Sequence, residues 1–369
     1  MLFRSVLKQI GPVTVTARYA PGHLRMEERL SLKTGSTLAK AALAFRPGGP
    51  VALDRLPSLP YVFALGAAMP AEQSVPATMA AVRPMQEAVN AALGGVPDDV
   101  QAQQEKLTER MYRNLRSMQL VAGGAPAGSG VFGLGVVYRC NDAKQLQADI
   151  RASFRLTNQY LAGIEALQEQ KLRLVVQEGL ETVAGHTVDA VDVQMAALAK
   201  LDADERKEMA RALGEDKIRL LVAGVDANTV VLTFGGSTGF LGEMAKAADG
   251  KAAEGEAIVT DAPGVQDLRK VLPKDRMFEG MISPTNLVQA ILAGARKMGV
   301  PAEELPPIPV TPQPPIAIGG AFEDADVHYL AVVPDATVAE LVKLAMMWWM
   351  QASTGGMESH GEGPPPGGF

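Results

Sequence analysis

Cysteine is almost absent from this 369-residue chain, with Cys140 the single example, and histidine occurs only four times. An internal disulfide is therefore excluded, and Cys140 with His23, His186, His328 and His360 cannot supply a zinc-finger type ligand set. There is no run of basic residues and the formal net charge is −6, so the chain carries no electrostatic footprint for nucleic acid or an anionic membrane. Long apolar runs are missing as well. The charge-free stretch from Leu120 to Tyr138 is broken by Gly123, Gly124, Pro126, Gly128, Gly130, Gly133 and Gly135, and reads as a loop entering a strand rather than a membrane-spanning helix. Met1 to Ile10 carries Arg4 and Lys8 and lacks a small-residue cleavage site, which is not the pattern of a signal peptide. The expectation is that the chain opens inside a strand hairpin, with any targeting signal on a segment that preceded it.

What is present is a hydrophobic fraction of 47%, enough for a sizeable core, and a length that suits two domains or two halves closing on a shared sheet. Period-two apolar spacing around short turns predicts three hairpins. They pair Val13-Val15 with Leu24-Met26, Leu172-Leu174-Val176 with Val188-Val191-Val193, and Ile218-Leu220-Val222 with Val230-Leu232-Phe234. Helical spacing predicts a helix from Asp98-Asp99 with Val100, Leu107, Met111, Leu115 and Met118 on one side. It predicts others from Asp142 through Ile164, from Asp202 to Gly214, and from Asp335 to about Ala352. Pro301 to Pro315 reads as an extended surface crossing, and the Gly/Pro-rich tail as disordered. Helices and hairpins in blocks, without strict alternation, indicate the α+β class.

A further pattern is repetition. Gly35-Ser36-Thr37-Leu38, Leu56-Pro57, Phe63-Ala64-Leu65-Gly66 and Val136-Val137-Tyr138-Arg139-Cys140-Asn141-Asp142-Ala143 follow one another in the first part. The same order returns as Gly236-Ser237-Thr238-Gly239, Leu272-Pro273, Phe278-Glu279-Gly280-Met281 and Tyr329-Leu330-Ala331-Val332-Val333-Pro334-Asp335-Ala336. The expected architecture is two pseudo-repeated halves, residues 1–196 and 197–352, each a mainly antiparallel sheet with helices packed on one face, followed by the tail at 353–369.

The sharpest chemical motif is Gly235-Gly236-Ser237-Thr238-Gly239, a G-x-S-x-G between a predicted strand and a predicted helix. On that reading Ser237 is a nucleophile, with His328 as base and Asp261, Asp267 or Asp324 to orient it. Against it stand the missing β-α repeats and oxyanion loop of a hydrolase, and the first-half counterpart, which keeps only a helix-capping Ser36. Neither the P-loop lysine nor G-x-G-x-x-G spacing is present, so the turn makes no phosphate cradle of those kinds. Asp202-Ala203-Asp204-Glu205 opens a helix, as the macrodipole favours, and lacks the glycine and distal glutamate of a calcium loop. Cys140, beside Val136-Val137-Tyr138, reads as a buried, inert thiol. Trp348-Trp349 with Met346, Met347 and Met350 forms an adaptable apolar helix end, expected to line a groove between the halves.

The Gly-Ser-Thr turn, the Leu-Pro step before an apolar strand, and the Pro334-Asp335-Ala336 strand end before a last helix resemble a broad group of uncharacterised bacterial secreted or envelope proteins. That resemblance implies a periplasmic or secreted location. The combined expectation is a non-enzymatic binding or scaffold protein of the cell envelope, with an apolar groove between halves and an unknown protein or apolar ligand as partner. No catalytic, cofactor-binding or metal residue is assigned, nucleic acid is not a partner, and the chain is not an integral membrane protein. The alternative is a serine hydrolase using Ser237.

Overall fold

The computed structural model describes residues 8–57, 60–92, 97–126, 129–164, 168–250, 259, 264–297, 299–301 and 311–355. The chain is α+β, with all described strands in one antiparallel sheet. Strands β1 (Ile10–Ala20) and β2 (His23–Leu32) form a hairpin around Pro21-Gly22, then helix α1 (Thr37–Ala44) starts at Ser36, whose hydroxyl accepts from the Ala39 N–H. Next come β3 (Tyr61–Ala68), α2 (Val75–Ala92), α3 (Asp98–Asn114), and a second hairpin of β4 (Leu115–Gly124) and β5 (Phe132–Cys140). Helix α4 (Ala143–Ala162) follows, capped by Asp142, and then β6 (Arg173–Val183), β7 (His186–Gln194), the short α5 (Ala196–Ala199) and α6 (Ala203–Leu213). The chain continues through β8 (Ile218–Asp226), β9 (Thr229–Gly235), α7 (Ser237–Asp249), α8 (Val265–Val271), β10 (Phe278–Ile282) and α9 (Pro284–Lys297). It closes with β11 (Ile316–Glu323), β12 (Asp326–Pro334) and α10 (Asp335–Gly355).

All three hairpins predicted from apolar alternation form, and the Asp202 helix carries a full capping box with Glu205 and ends on a left-handed Gly214. One helix stops early. Its predicted face included Leu115 and Met118, yet the backbone turns extended at Leu115 and β4 begins there. The reason lies in the junction: Leu107, Met111 and Leu115 keep helical spacing, while Leu115 also opens a strand whose residues alternate between buried and half-buried. The tail from residue 356, the stretch 302–310 within the proline-rich crossing, and the side chains of Trp348, Trp349 and Met350 lie outside the described residues.

The strands are ordered β1-β2-β12-β11-β10-β3-β4-β5-β9-β8-β7-β6. Paired residues of neighbouring strands share a face, so the register traces one row across the sheet: Val15, Glu28, Tyr329, Gly320, Phe278, Ala67, Met118, Tyr138 and Val230. The neighbouring row, Leu330, Gly319, Glu279, Gly66, Gln119, Val137 and Val231, looks the other way.

Helices pack on both faces, which corrects the one-face expectation. Val230 and Leu232 of β9 join a cluster with Leu146, Ile150 and Phe154 of α4, whereas the intervening Val231 joins Phe240 and Met244 of α7. The physical cause is visible in β8 and β9, where Leu220-Leu221-Val222-Ala223 and Val230-Val231-Leu232 are apolar at consecutive positions; a strand of that kind needs cover on both sides. Met244 reaches the sheet over Gly135, where a Cβ would lie 2.6 Å from the Met244 methyl. Fully buried side chains of this size each stabilise the fold by roughly 1.5–3 kcal/mol.

The carboxylate buried in this core is paired. Glu279, on the α8 side of β10, is fully buried and receives Arg269 at 2.8 Å and Arg276 at 2.7 Å. Among the described residues no helix is long and apolar enough to cross a membrane.

Candidate functional site: an apolar cleft

The part of the first row from Tyr329 to Val230 is covered unequally. Over its β9 end, α4 presents Leu146 and Ile150, large side chains that fill the space above Tyr138 and Leu232. At the other end the sheet presents Leu30 and Leu32 from β2, Val327 and Tyr329 from β12, Phe322 from β11 and Phe278 from β10. Facing them are Leu38, Ala41 and Ala42 of α1 and Thr78, Ala81 and Val82 of α2, with Ala67 and Ala68 of β3 beside them. Alanines stand where α4 has leucine and isoleucine, and a cleft of about 480 Å³ remains. Its size falls within the range of small-molecule sites.

Two aromatic contacts shape the cleft. The Phe278 ring lies against Gly320, where a Cβ would sit 2.3 Å from it, and its centroid is 5.9 Å from that of Tyr329. Phe45, just past α1, meets Phe322 edge to face at 5.3 Å. The lining offers little polar chemistry. The Thr78 hydroxyl donates to the Ser74 carbonyl, and Tyr329 is held above the usual phenol range, first by burial and then by the negative charge of Glu28. Such a surface can exclude water and hold an apolar group; it presents no base to activate a nucleophile.

A second cleft of about 490 Å³ abuts the first, and Phe45, Met277 and Phe322 line both. Its remaining walls are the Pro47-to-Val51 loop and the turn Lys274-Asp275-Arg276. Lys274 and Asp275 are exposed, while Arg276 is held by Glu279 and by the Pro273 carbonyl at 3.0 Å.

The sequence candidates for hydrolysis are not assembled. Gly235, Gly236 and Ser237 have φ of 68°, 71° and 52°, so the β9–α7 turn does put Ser237 in a left-handed conformation at a helix start. Ser237 borders a narrow depression with Glu215, Lys217, Arg219 and Thr233. His328, however, is on β12, six strands along the sheet from β9, which is roughly 29 Å at the usual strand spacing. Its Nδ1 lies 3.0 Å from Glu323 and its Nε2 3.8 Å from Glu27. Asp267 pairs with Lys270 on α8, Asp324 is in the β11–β12 turn, and Asp261 lies outside the described residues. The Cys140 thiol is buried and pushed up to about 11, chiefly by desolvation, so it stays protonated at neutral pH.

The cleft residues themselves were not singled out by sequence. Their signal was there in part: β2 alternates Leu24, Met26, Glu28, Leu30 and Leu32, and α1 and α2 are rich in alanine. The groove expected from the Met/Trp helix rests on the side chains of Trp348, Trp349 and Met350, which lie outside the described residues, and the cleft here is lined by α1, α2 and the strand faces. Comparison with family models, curated proteins and solved structures finds no match to this chain.

Proposed function

We propose that this chain is a non-enzymatic binding protein of the cell envelope, built from two pseudo-repeated halves, that takes an apolar ligand in the cleft between them. The observation that carries the reading is the cleft's composition: Leu30, Leu32, Leu38 and Val82 come from the first half and Phe278, Phe322, Val327 and Tyr329 from the second. Support for the repeat comes from strand order. Read outward from the β10–β3 pair, β11, β12, β2 and β1 on one side correspond to β4, β5, β9 and β8 on the other. The opening hairpin of each half thus lies against a strand of the other, β2 on β12 and β9 on β5, and the β6–β7 hairpin is an addition beyond β8. The repeated sequence signals fit the same correspondence, since Leu56 and Leu272 enter one core cluster, and Phe63 and Phe278 share a face of the sheet. The extracytoplasmic location rests on the resemblance of the Gly-Ser-Thr and Pro-Asp-Ala turns, and fractionation of cells expressing the chain tests it.

The binding test uses the neutral fluorophore N-phenyl-1-naphthylamine. Saturable enhancement is expected with the native chain and a loss of at least tenfold in affinity with Ala81→Leu, which fills the cleft. Absence of saturable binding to the native chain overturns the reading. Turnover of activated esters that disappears in Ser237→Ala would replace it with the hydrolase.

A further inference from the structure

We infer that the ligand is a single-chain amphiphile with an anionic head, its chain in the apolar cleft and its head at Lys274 in the adjoining one; this rests on the apolar-cleft reading above. The argument begins with the junction. Phe45, Met277 and Phe322 line both clefts, so the apolar cavity and the second cleft adjoin at the edge-to-face pair of Phe45 and Phe322. The two compartments differ in chemistry. One is walled by aliphatic and aromatic side chains, and the other carries Lys274, Asp275 and Arg276 on one turn. A molecule that crosses the junction therefore needs an apolar end and a polar end.

Charge decides the sign of the polar end. Arg269 and Arg276 share the single carboxylate of Glu279, which leaves one positive charge uncompensated behind the turn. At the rim Lys274 adds a second positive charge and Asp275 one negative charge, so the sum over these five groups is positive. Arg276 uses its Nε, Nη1 and Nη2 toward Glu279 and Pro273, and a guanidinium has five N–H groups, so two donors are left over for an incoming oxygen. Lys274 is exposed and has no ion pair among the described residues, which makes it the flexible cation best able to follow a carboxylate. The cavity of about 480 Å³ suits one chain, whose methylenes it takes out of water.

Displacement of N-phenyl-1-naphthylamine by decanoate, decanol and decyltrimethylammonium, which share a chain and differ in head, tests the inference. Decanoate is expected to bind most tightly and decyltrimethylammonium least. Lys274→Gln is expected to narrow the preference for decanoate over decanol by about tenfold, the worth of one charge-assisted contact. Lys274→Glu should reverse the order of decanoate and decyltrimethylammonium. If the fluorophore binds but decanoate has no advantage over decanol, or if both Lys274 variants keep that advantage, the head-group inference is wrong while the apolar cleft survives. If the fluorophore does not bind at all, both fall together.

Discussion

Tyr138 and Tyr329 stand on one row of the same sheet face, yet one is half-buried under α4 and the other borders a cleft with 38% of its surface exposed. The strands below are alike, since both carry apolar residues at the positions that face the helices. What differs is the helix. Over Tyr138, α4 brings Leu146, Ile150 and Phe154 down to the sheet, whereas over Phe278 and Tyr329 the helices α1 and α2 bring Ala41, Ala42 and Ala81. Unfilled apolar volume forfeits contacts that a close-packed interior would make. The open end is thus stability forgone at one location in a sheet that elsewhere is packed tightly enough to place Met244 against Gly135. The comparison teaches that side-chain size on the covering helices, and not the sheet, decides where this molecule has room for a ligand.

The largest expected effect tests what holds the open end in place. Glu279 is buried directly behind the Phe278 strand position and binds two arginines, so Glu279→Gln leaves two half-buried guanidiniums without a counter-charge. The expected loss is about 3–5 kcal/mol, read from the urea midpoint at constant slope. Next in size is a paired truncation. Leu146→Ala in the closed end removes a fully buried side chain and should cost about 2–5 kcal/mol, while Leu38→Ala beside the cleft, already half-buried, should cost less than half as much. Equal losses would break the comparison, because they would mean the two ends are packed alike.

Filling the cleft runs the comparison in reverse. Ala81→Leu adds apolar volume where α4 already has it, and should raise stability by about 0.5–2 kcal/mol while abolishing fluorophore binding. A variant that loses both stability and binding would show that the cleft cannot accept a side chain, and the alanines would then be there to avoid collision rather than to leave space.

Much of the scaffold was legible from residues alone, for reasons of chemistry. Hairpins such as β8–β9 announce themselves through short turn residues, Asp226-Ala227-Asn228, and apolar spacing, and the Asp202 helix through its caps. The two-sided cover of the sheet was legible too, in the unbroken run Val230-Val231-Leu232, but alternation in the other strands argued for one face. The cleft was not legible. An alanine in a helix reads as a good helix former whether it lies under a neighbour or over a void, and only the pairing of β10 with β3 brings Phe278 to α2. Ser237 failed in the opposite direction. Its motif is local and does fold into the strand-to-helix turn it specifies, but a triad is a non-local object, and the sheet order carries His328 six strands away.

The smallest effect offers the cleanest contrast between the two ends. Burial raises the pKa of Tyr138, and burial together with the charge of Glu28 raises that of Tyr329. A phenol whose folded value lies above its unfolded value of 10.0 favours the protonated form in the fold. Its contribution to stability is fully present below that unfolded value and is lost as pH rises through the folded one. Both Tyr138→Phe and Tyr329→Phe should therefore flatten the alkaline loss of stability, Tyr138→Phe more, because its ring is the better shielded. A ligand adds a second distinction, for an apolar chain laid against Tyr329 removes water from its hydroxyl and cannot reach Tyr138. Ultraviolet difference spectra of tyrosinate in the presence of decanol should show the Tyr329 titration displaced upward and that of Tyr138 unmoved, with the two single variants assigning each transition. If decanol shifts neither, the chain does not lie against Tyr329 and the open end is merely loose; if it shifts both, the closed end is not closed.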